Sequence, residues 1–239
     1  MHEIARHYAP TGELRVALNH GNRILVGRKA DGSPYGISVD LAHAVATEIG
    51  APLRFVEYER AVDVSNSASG DAWDVCFLAV DPKRAEVLDF TAPYVRIKGC
   101  YLAGPDCRAV DAKDLVDSKA AVGTVDGSAY TLTLSRLPGA ERLVTYPDIH
   151  AMLRAFDAGE VQAVAGIGDV MAQEAKSRPG TRVLAPPFME IRQAMAIVQG
   201  RPDAASHLQT LLATMARDGR VGDILERHGV SRSAAFIPD

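Results

Sequence analysis

Short apolar runs of strand length alternate with stretches of helical periodicity from one end of this 239-residue chain to the other. Residues 14–18 and 53–58 read as strands, with a helix over 39–49 between them that stops at Gly50. A short polar helix or loop follows, then a strongly apolar strand over 75–80 and a long β-rich run over 95–103. The string GPDC breaks the pattern, after which a second series begins. Strands over 119–125, 142–146 and 161–167 are interleaved with helices over 128–137, 149–158 and 169–176. In the second of these helices Ile149, Leu153 and Phe156 share one face. A late strand over 193–198 and two helices, 207–217 and 221–227, close the chain. Such alternation dictates an α/β fold with largely parallel strands.

The pattern divides near residues 103–107 into two α/β units, and the late strand is placed to return to the first. Two chain crossings between two units favour a ligand site at their junction. The bulk numbers exclude other classes. A net charge of −4 gives no electrostatic footprint for nucleic acid or a membrane surface. No run of about 18 apolar residues is present for a membrane span. The stretch MHEIARHYAPTGELRVAL has neither a basic n-region nor an apolar h-region. The expectation is therefore either a leader outside this sequence or a cytoplasmic protein. Three cysteines form no zinc or redox spacing, so no metal or cofactor is expected. Cys76 reads as an inert core thiol, and Cys100 with Cys107 gives no dependable disulfide.

The segment WDVCFLAVDPKRAEVLDFTAPY concentrates the chemistry. Asp81 followed by Pro82 predicts a helix N-cap and first helical residue, with Arg84 in the first turn. There a guanidinium beside outward-facing N–H groups suits a carboxylate. A solvated helix arginine fits the local pattern equally well. Gly127 and Ser128 read as a helix start, and Asp169 as a helix cap. Asn19 and Asn22 flank Gly21 in a loop, where they either make turns or read a neutral polar group.

Five segments, in order, resemble the type 2 periplasmic solute-binding proteins of the amino-acid-binding group, bacterial solute-binding family 3. They are GELRVAL, DGSPYGISVDLAHAVATEIG, GDAWDVCFLAVDPKRAEVLDFTAPY, AVGTVDGSAY and LLATMARDGRVGDILERHGV. The resemblance spans about residues 12–230 and implies two Rossmann-like lobes joined by a two-stranded hinge. Lobe 1 would comprise 1–100 and 194–239, lobe 2 101–193, with crossings near 98–104 and 189–195. The implied protein is a periplasmic monomer that closes on a small carboxylate or zwitterion and delivers it to an ABC permease. By the same resemblance Arg84 anchors the ligand carboxylate, Gly127 and Ser128 add backbone donors, and Asp169 receives the α-amino group.

The departures from the family pattern matter as well. The first loop lacks the usual aromatic and carries Asn19 and Asn22. Ala79 replaces a small hydroxyl residue, and Asp81 replaces a threonine and sets a negative charge near Arg84. Gln193 lies near the expected hinge, with Glu190 and Arg192. Tyr130 reads as packing, while Glu59, Arg60 and His20 read as loop residues. Two alternatives stay open: a cyclohexadienyl-dehydratase-like enzyme using Glu59, Asp81 or Glu190 as acid, and a cytoplasmic metabolite-binding or sensor protein.

Overall fold

The computed structural model describes residues 3–237. They form two compact units: one joins the residues up to Arg96 with those from Arg192 onward, and the other is Ile97–Ile191. The chain thus passes between units twice, each time inside a strand, Leu88–Ala103 and Met189–Val198.

In the first unit the strand order is Leu53–Tyr58, Leu14–Asn19, Val75–Ala79, Met189–Val198. The first three are parallel, with Ala17 opposite Val56 on one side and Cys76 on the other. Met189–Val198 runs antiparallel to Val75–Ala79 and sets Gln193 opposite Ala79. Val75–Ala79 is buried at every position, as its unbroken apolar run demands. The core around it gathers Val64, Ala68, Trp73, Cys76, Leu78, Leu88 and Ala196. Helix Ile37–Ile49 buries Ile37, Leu41, Val45 and Ile49 at helical spacing and ends at Gly50.

A charge network unsuspected from the sequence lies beneath this sheet. Asp74, fully buried, accepts from Arg15 N, Nε and Nη2 at 2.9, 3.0 and 2.9 Å. Arg201 Nη1 reaches the same carboxylate at 2.6 Å and also donates to the Tyr8 carbonyl at 3.0 Å. The network ties the first strand, the turn before Val75 and the entry of the Pro202–Arg217 helix together. Desolvation is offset only because every charge meets an opposite one with good geometry.

In the second unit Ala163–Ile167 and Leu143–Tyr146 flank Val122–Val125, both parallel to it. Residues 99–103 run antiparallel to Ala163–Ile167. Leu102, Met152, Leu153, Phe156, Val161, Val164 and Met171 make the core, so the face predicted for the 149–158 helix is the buried one. Three helices here start on side-chain caps: Asp111 accepts from Asp114 N, Ser128 from Thr131 N and Asp148 from Ala151 N. The helix Ala112–Asp117 is absent from the sequence-based expectation, although Asp111 three residues ahead of Asp114 carries its signal.

Two expectations need correction. Asp81-Pro82 does not open an α-helix; the chain makes only a single 3₁₀ turn, Arg84–Glu86. Asp81 Oδ1 accepts from Lys83 N at 2.9 Å and closes an Asx turn, which competes with helix entry. Asp169 is not a cap either. Helix Gly168–Lys176 starts on Ile167, with Asp169 in its first turn. Several ends also shift: the helix predicted over 128–137 is Ala129–Leu134, and the late strand begins at Met189. Among the described residues no helix is long and apolar enough to cross a membrane. All three cysteines are free and buried.

Candidate functional site

In parallel sheets the loops leaving the carboxyl ends of the strands are where ligands bind, because backbone groups and helix starts converge there. In the first unit those loops carry Asn19 to Asn22, Glu59 and Arg60, and Val80 to Arg84. Gln193 joins them through its register with Ala79. In the second unit they carry Gly127 with Ser128, and Gly168 with Asp169, after neighbouring strands. The sequence-derived residues therefore fall on the same kind of edge in each unit.

Arg84 is 3% exposed and folds back so that Nη1 donates to the Ala79 carbonyl at 3.0 Å. Burial pushes its guanidinium below the ordinary arginine range, and the Asp81 carboxylate opposes that shift. Asp81 is itself 3% exposed. The solvated-arginine alternative is thereby excluded. A buried cation next to a buried carboxylate at a strand end is the arrangement a polar ligand can use. A helix dipole is not part of it, since the 3₁₀ turn spans three residues.

The two asparagines separate. Asn19 Oδ1 accepts from Gly21 N at 3.0 Å, so this oxygen builds the turn. Space is tight there: a Cβ on Gly21 would stand 2.9 Å from the Glu59 carbonyl. Asn22 is 6% exposed, and its Oδ1 meets no hydrogen-bond partner among the described residues. Its carbonyl accepts from Leu25 N and Val26 N, both at 3.0 Å, and Ser38 N donates to the Leu25 carbonyl at 3.1 Å. These bonds fasten the loop to the start of helix Ile37–Ile49. The fastening requires glycine at 36, where φ is +126° and a Cβ would meet the Leu25 oxygen at 2.4 Å.

The surrounding charged loop residues are engaged with one another. His20 Nε2 lies 2.7 Å from Glu57 Oε2, and Arg28 bridges Glu57 and Glu59. Arg60 grips Asp63 through Nε at 2.9 Å and Nη2 at 2.7 Å. These are surface pairs that organise the loop.

In the second unit Gly127 holds φ at +63°, the left-handed turn that lets the chain leave Val122–Val125 and enter the next helix. Ser128 Oγ caps Thr131 N at 3.2 Å and lies 2.8 Å from Thr131 Oγ1, which donates to the Val125 carbonyl at 2.6 Å. Tyr130 is buried, and desolvation pushes its hydroxyl up to about 12, consistent with a packing role. Asp169 is exposed and lies close enough to Cys100 to raise its thiol further, after burial. Gly168 packs tightly against the same residue, since a Cβ there would stand 3.0 Å from Cys100 Sγ. Glu190 and Arg192 are exposed on the second crossing strand, with Gln193 buried beside them. No cluster of three metal-ligating side chains occurs among the described residues.

The profile of bacterial extracellular solute-binding proteins, family 3, matches residues 14–231. The chain belongs to this family. Solved structures agree on the fold. The solute receptor for L-cysteine of Neisseria gonorrhoeae is 20% identical, with a TM-score of 0.80 and 97% of each chain covered. A histidine kinase sensor domain with similarity to periplasmic binding proteins is 19% identical at a TM-score of 0.79, covering 95% of this chain and 98% of that one. The ancestral amino acid-binding protein AncCDT-1, a precursor of cyclohexadienyl dehydratase, is 19% identical at 0.77, covering 95% and 99%. No curated protein sequence matches the chain. The fold class is thus α/β, of the type 2 periplasmic binding protein kind.

Proposed function

We propose that this solute-binding protein takes up a small polar carboxylate, an amino acid or a close derivative, by lobe closure, and acts as a monomer delivering it to an ABC permease from the periplasm. The observation that carries the reading is the buried Arg84–Asp81 pair at the carboxyl end of Val75–Ala79 in a family 3 chain. Arg84 would hold the carboxylate, with charge-assisted hydrogen bonds each contributing about 1.5–3 kcal/mol. Gly127 and Ser128 would add donors, and exposed Asp169 would receive an ammonium group. Closure would be favoured by a ligand that satisfies groups on both units and by no ligand that satisfies one alone. Asn19 shapes the first loop, and Gln193 lines the strand beside Ala79. The L-cysteine receptor among the structural neighbours supports an amino-acid ligand.

A thermal-shift screen of the twenty amino acids and small organic acids at millimolar concentration tests this. A ligand present at 100 times its Kd stabilises the folded protein by about 2.7 kcal/mol, which is a shift of several degrees. If no carboxylate moves the transition, the reading fails.

Two neighbours favour other outcomes of the same fold. The sensor-domain likeness favours a metabolite sensor, which a permease-independent response to the bound ligand would reveal. The dehydratase-precursor likeness favours an enzyme, which release of aromatic product from prephenate would reveal. For the latter, the candidate acids are Glu59, paired with Arg28, Asp81, which sits against Arg84, and Glu190, exposed on the second crossing strand.

A further inference from the structure

We infer that the second unit holds a site for a small monovalent anion of halide size, in a cavity lined by Arg142 and Tyr101. The site is separate from the solute-binding function proposed above and does not rest on it.

The cavity lies wholly within the second unit and has about 10 Å³ of room, enough for one body the size of a water molecule or a halide ion. Leu115, Val122, Leu134 and Leu143 form apolar walls, and Arg142 and Tyr101 supply the polar side chains. Its place is the end of the sheet away from the candidate solute residues. Val122 and Leu143 are paired and each opens its strand, whereas Gly127 and Ser128 follow the other end of Val122–Val125. Helix Ala129–Leu134 spans the two, capped by Ser128 at its start and lining the cavity with Leu134 at its end.

The Arg142 side chain is 17% exposed, yet its hydrogen-bonding capacity is largely unspent. Nη2 donates to the Val116 carbonyl, and Nε is buried with no acceptor among the described residues. The one carboxylate within 4 Å is Glu141, whose Oε1 stands 3.4 Å from Nε without a hydrogen bond. That side chain is 75% exposed, so water screens its charge. A largely buried guanidinium without a matched counter-charge is costly, and an anion in the adjoining cavity would offset that cost. Tyr101, 3% exposed, makes no hydrogen bond through its hydroxyl among the described residues. Burial pushes that hydroxyl up to about 12 against the pull of the Arg142 charge, so it stays protonated and can donate. Water is the poorer occupant. It must donate as well as accept, and a guanidinium only donates. An anion only accepts, and the guanidinium meets its charge. The small volume selects a halide over an oxyanion or an organic acid.

The test follows chloride NMR line broadening as chloride replaces gluconate at constant ionic strength, with folding of each variant checked by circular dichroism. Wild-type protein should broaden the line saturably, and bromide should compete. Arg142→Met should abolish the broadening. Tyr101→Phe, which loses one hydrogen bond to a charged group, should weaken chloride about tenfold or more. Arg154→Gln, which removes an exposed arginine of the same unit, should change nothing. Crystals grown in bromide should show its anomalous signal between Arg142 and Tyr101. Where Arg142→Met fails to fold, Tyr101→Phe carries the decision, since it keeps the ring that packs on Phe188. Broadening that survives in the folded variants, an equal loss in Arg154→Gln, or a water and no bromide in the cavity would overturn the assignment. None of these results bears on the solute screen.

Discussion

The two units solve the same problem with different chemistry. In the first, the candidate residues Asn22, Asp81, Arg84 and Gln193 are all buried, and the sheet rests on the buried Arg15–Asp74–Arg201 network. None of its α-helices opens on a side-chain cap among the described residues. In the second, three helices open on Asp111, Ser128 and Asp148 caps, while Gly127 and Ser128 are half-buried and Asp169 is exposed. The first unit therefore depends on long-range charge pairing and keeps these four candidate residues desolvated. The second depends on local capping and offers groups already in contact with water. A carboxylate meeting a desolvated guanidinium gains more than one meeting exposed donors, so affinity should be lodged chiefly in the first unit.

The largest expected effect comes from breaking the charge network. Asp74→Ala takes the buried carboxylate from both Arg15 and Arg201, leaving them only the exposed Asp71 at 2.7 and 3.7 Å, and should destabilise the protein by about 3–5 kcal/mol. Urea unfolding monitored at Trp73, the single tryptophan and part of the first unit's core, measures this. Next, Arg84→Ala should weaken binding of any carboxylate found in the screen by roughly 10–150-fold, equivalent to about 1.5–3 kcal/mol. Calorimetry reads that loss, and a smaller loss from Asp169→Ala, which removes the second unit's proposed ammonium acceptor, would confirm that the two units contribute unequally. Equal losses would erase the contrast. Asp148→Ala, which touches only a cap, should cost about 1 kcal/mol and leave the Trp73 transition in place.

Acid should also distinguish the units. Asp71, held by Arg15, Asp31, held by Ser33, and Asp218, held by Arg220, have carboxyls below the ordinary range, and all three lie in the first unit. A depressed folded-state pKa gives stability that is fully present above the unfolded value, about 3.9. It is lost as pH falls through the depressed value. Trp73 fluorescence should therefore show acid loosening of the first unit below about pH 4, with a signal from the second unit lagging behind it. A second-unit signal that leads would break the comparison.

How much of this was legible from sequence differs between the units in a similar way. The strand over 53–58, the apolar run from Val75, the 149–158 helix and the Ser128 cap all depend on residues close in sequence, and all are present. Asp81-Pro82 misled because a capping aspartate and an Asx turn use the same carboxylate–backbone bond. Here that bond runs from Lys83 N, and only a 3₁₀ turn follows. The burial of Arg84, the difference between Asn19 and Asn22, and the Arg15–Asp74 pair, 59 residues apart, depend on neighbours that only the fold supplies.

The central claim is that Arg84, buried beside Asp81, anchors a solute carboxylate. Isothermal titration of the best carboxylate against wild-type and Arg84→Ala protein, both checked for an intact Trp73 environment, tests it most directly. Saturable one-to-one binding to the wild type is expected, with a loss of at least about tenfold in the variant. Wild-type affinity retained in Arg84→Ala would contradict it.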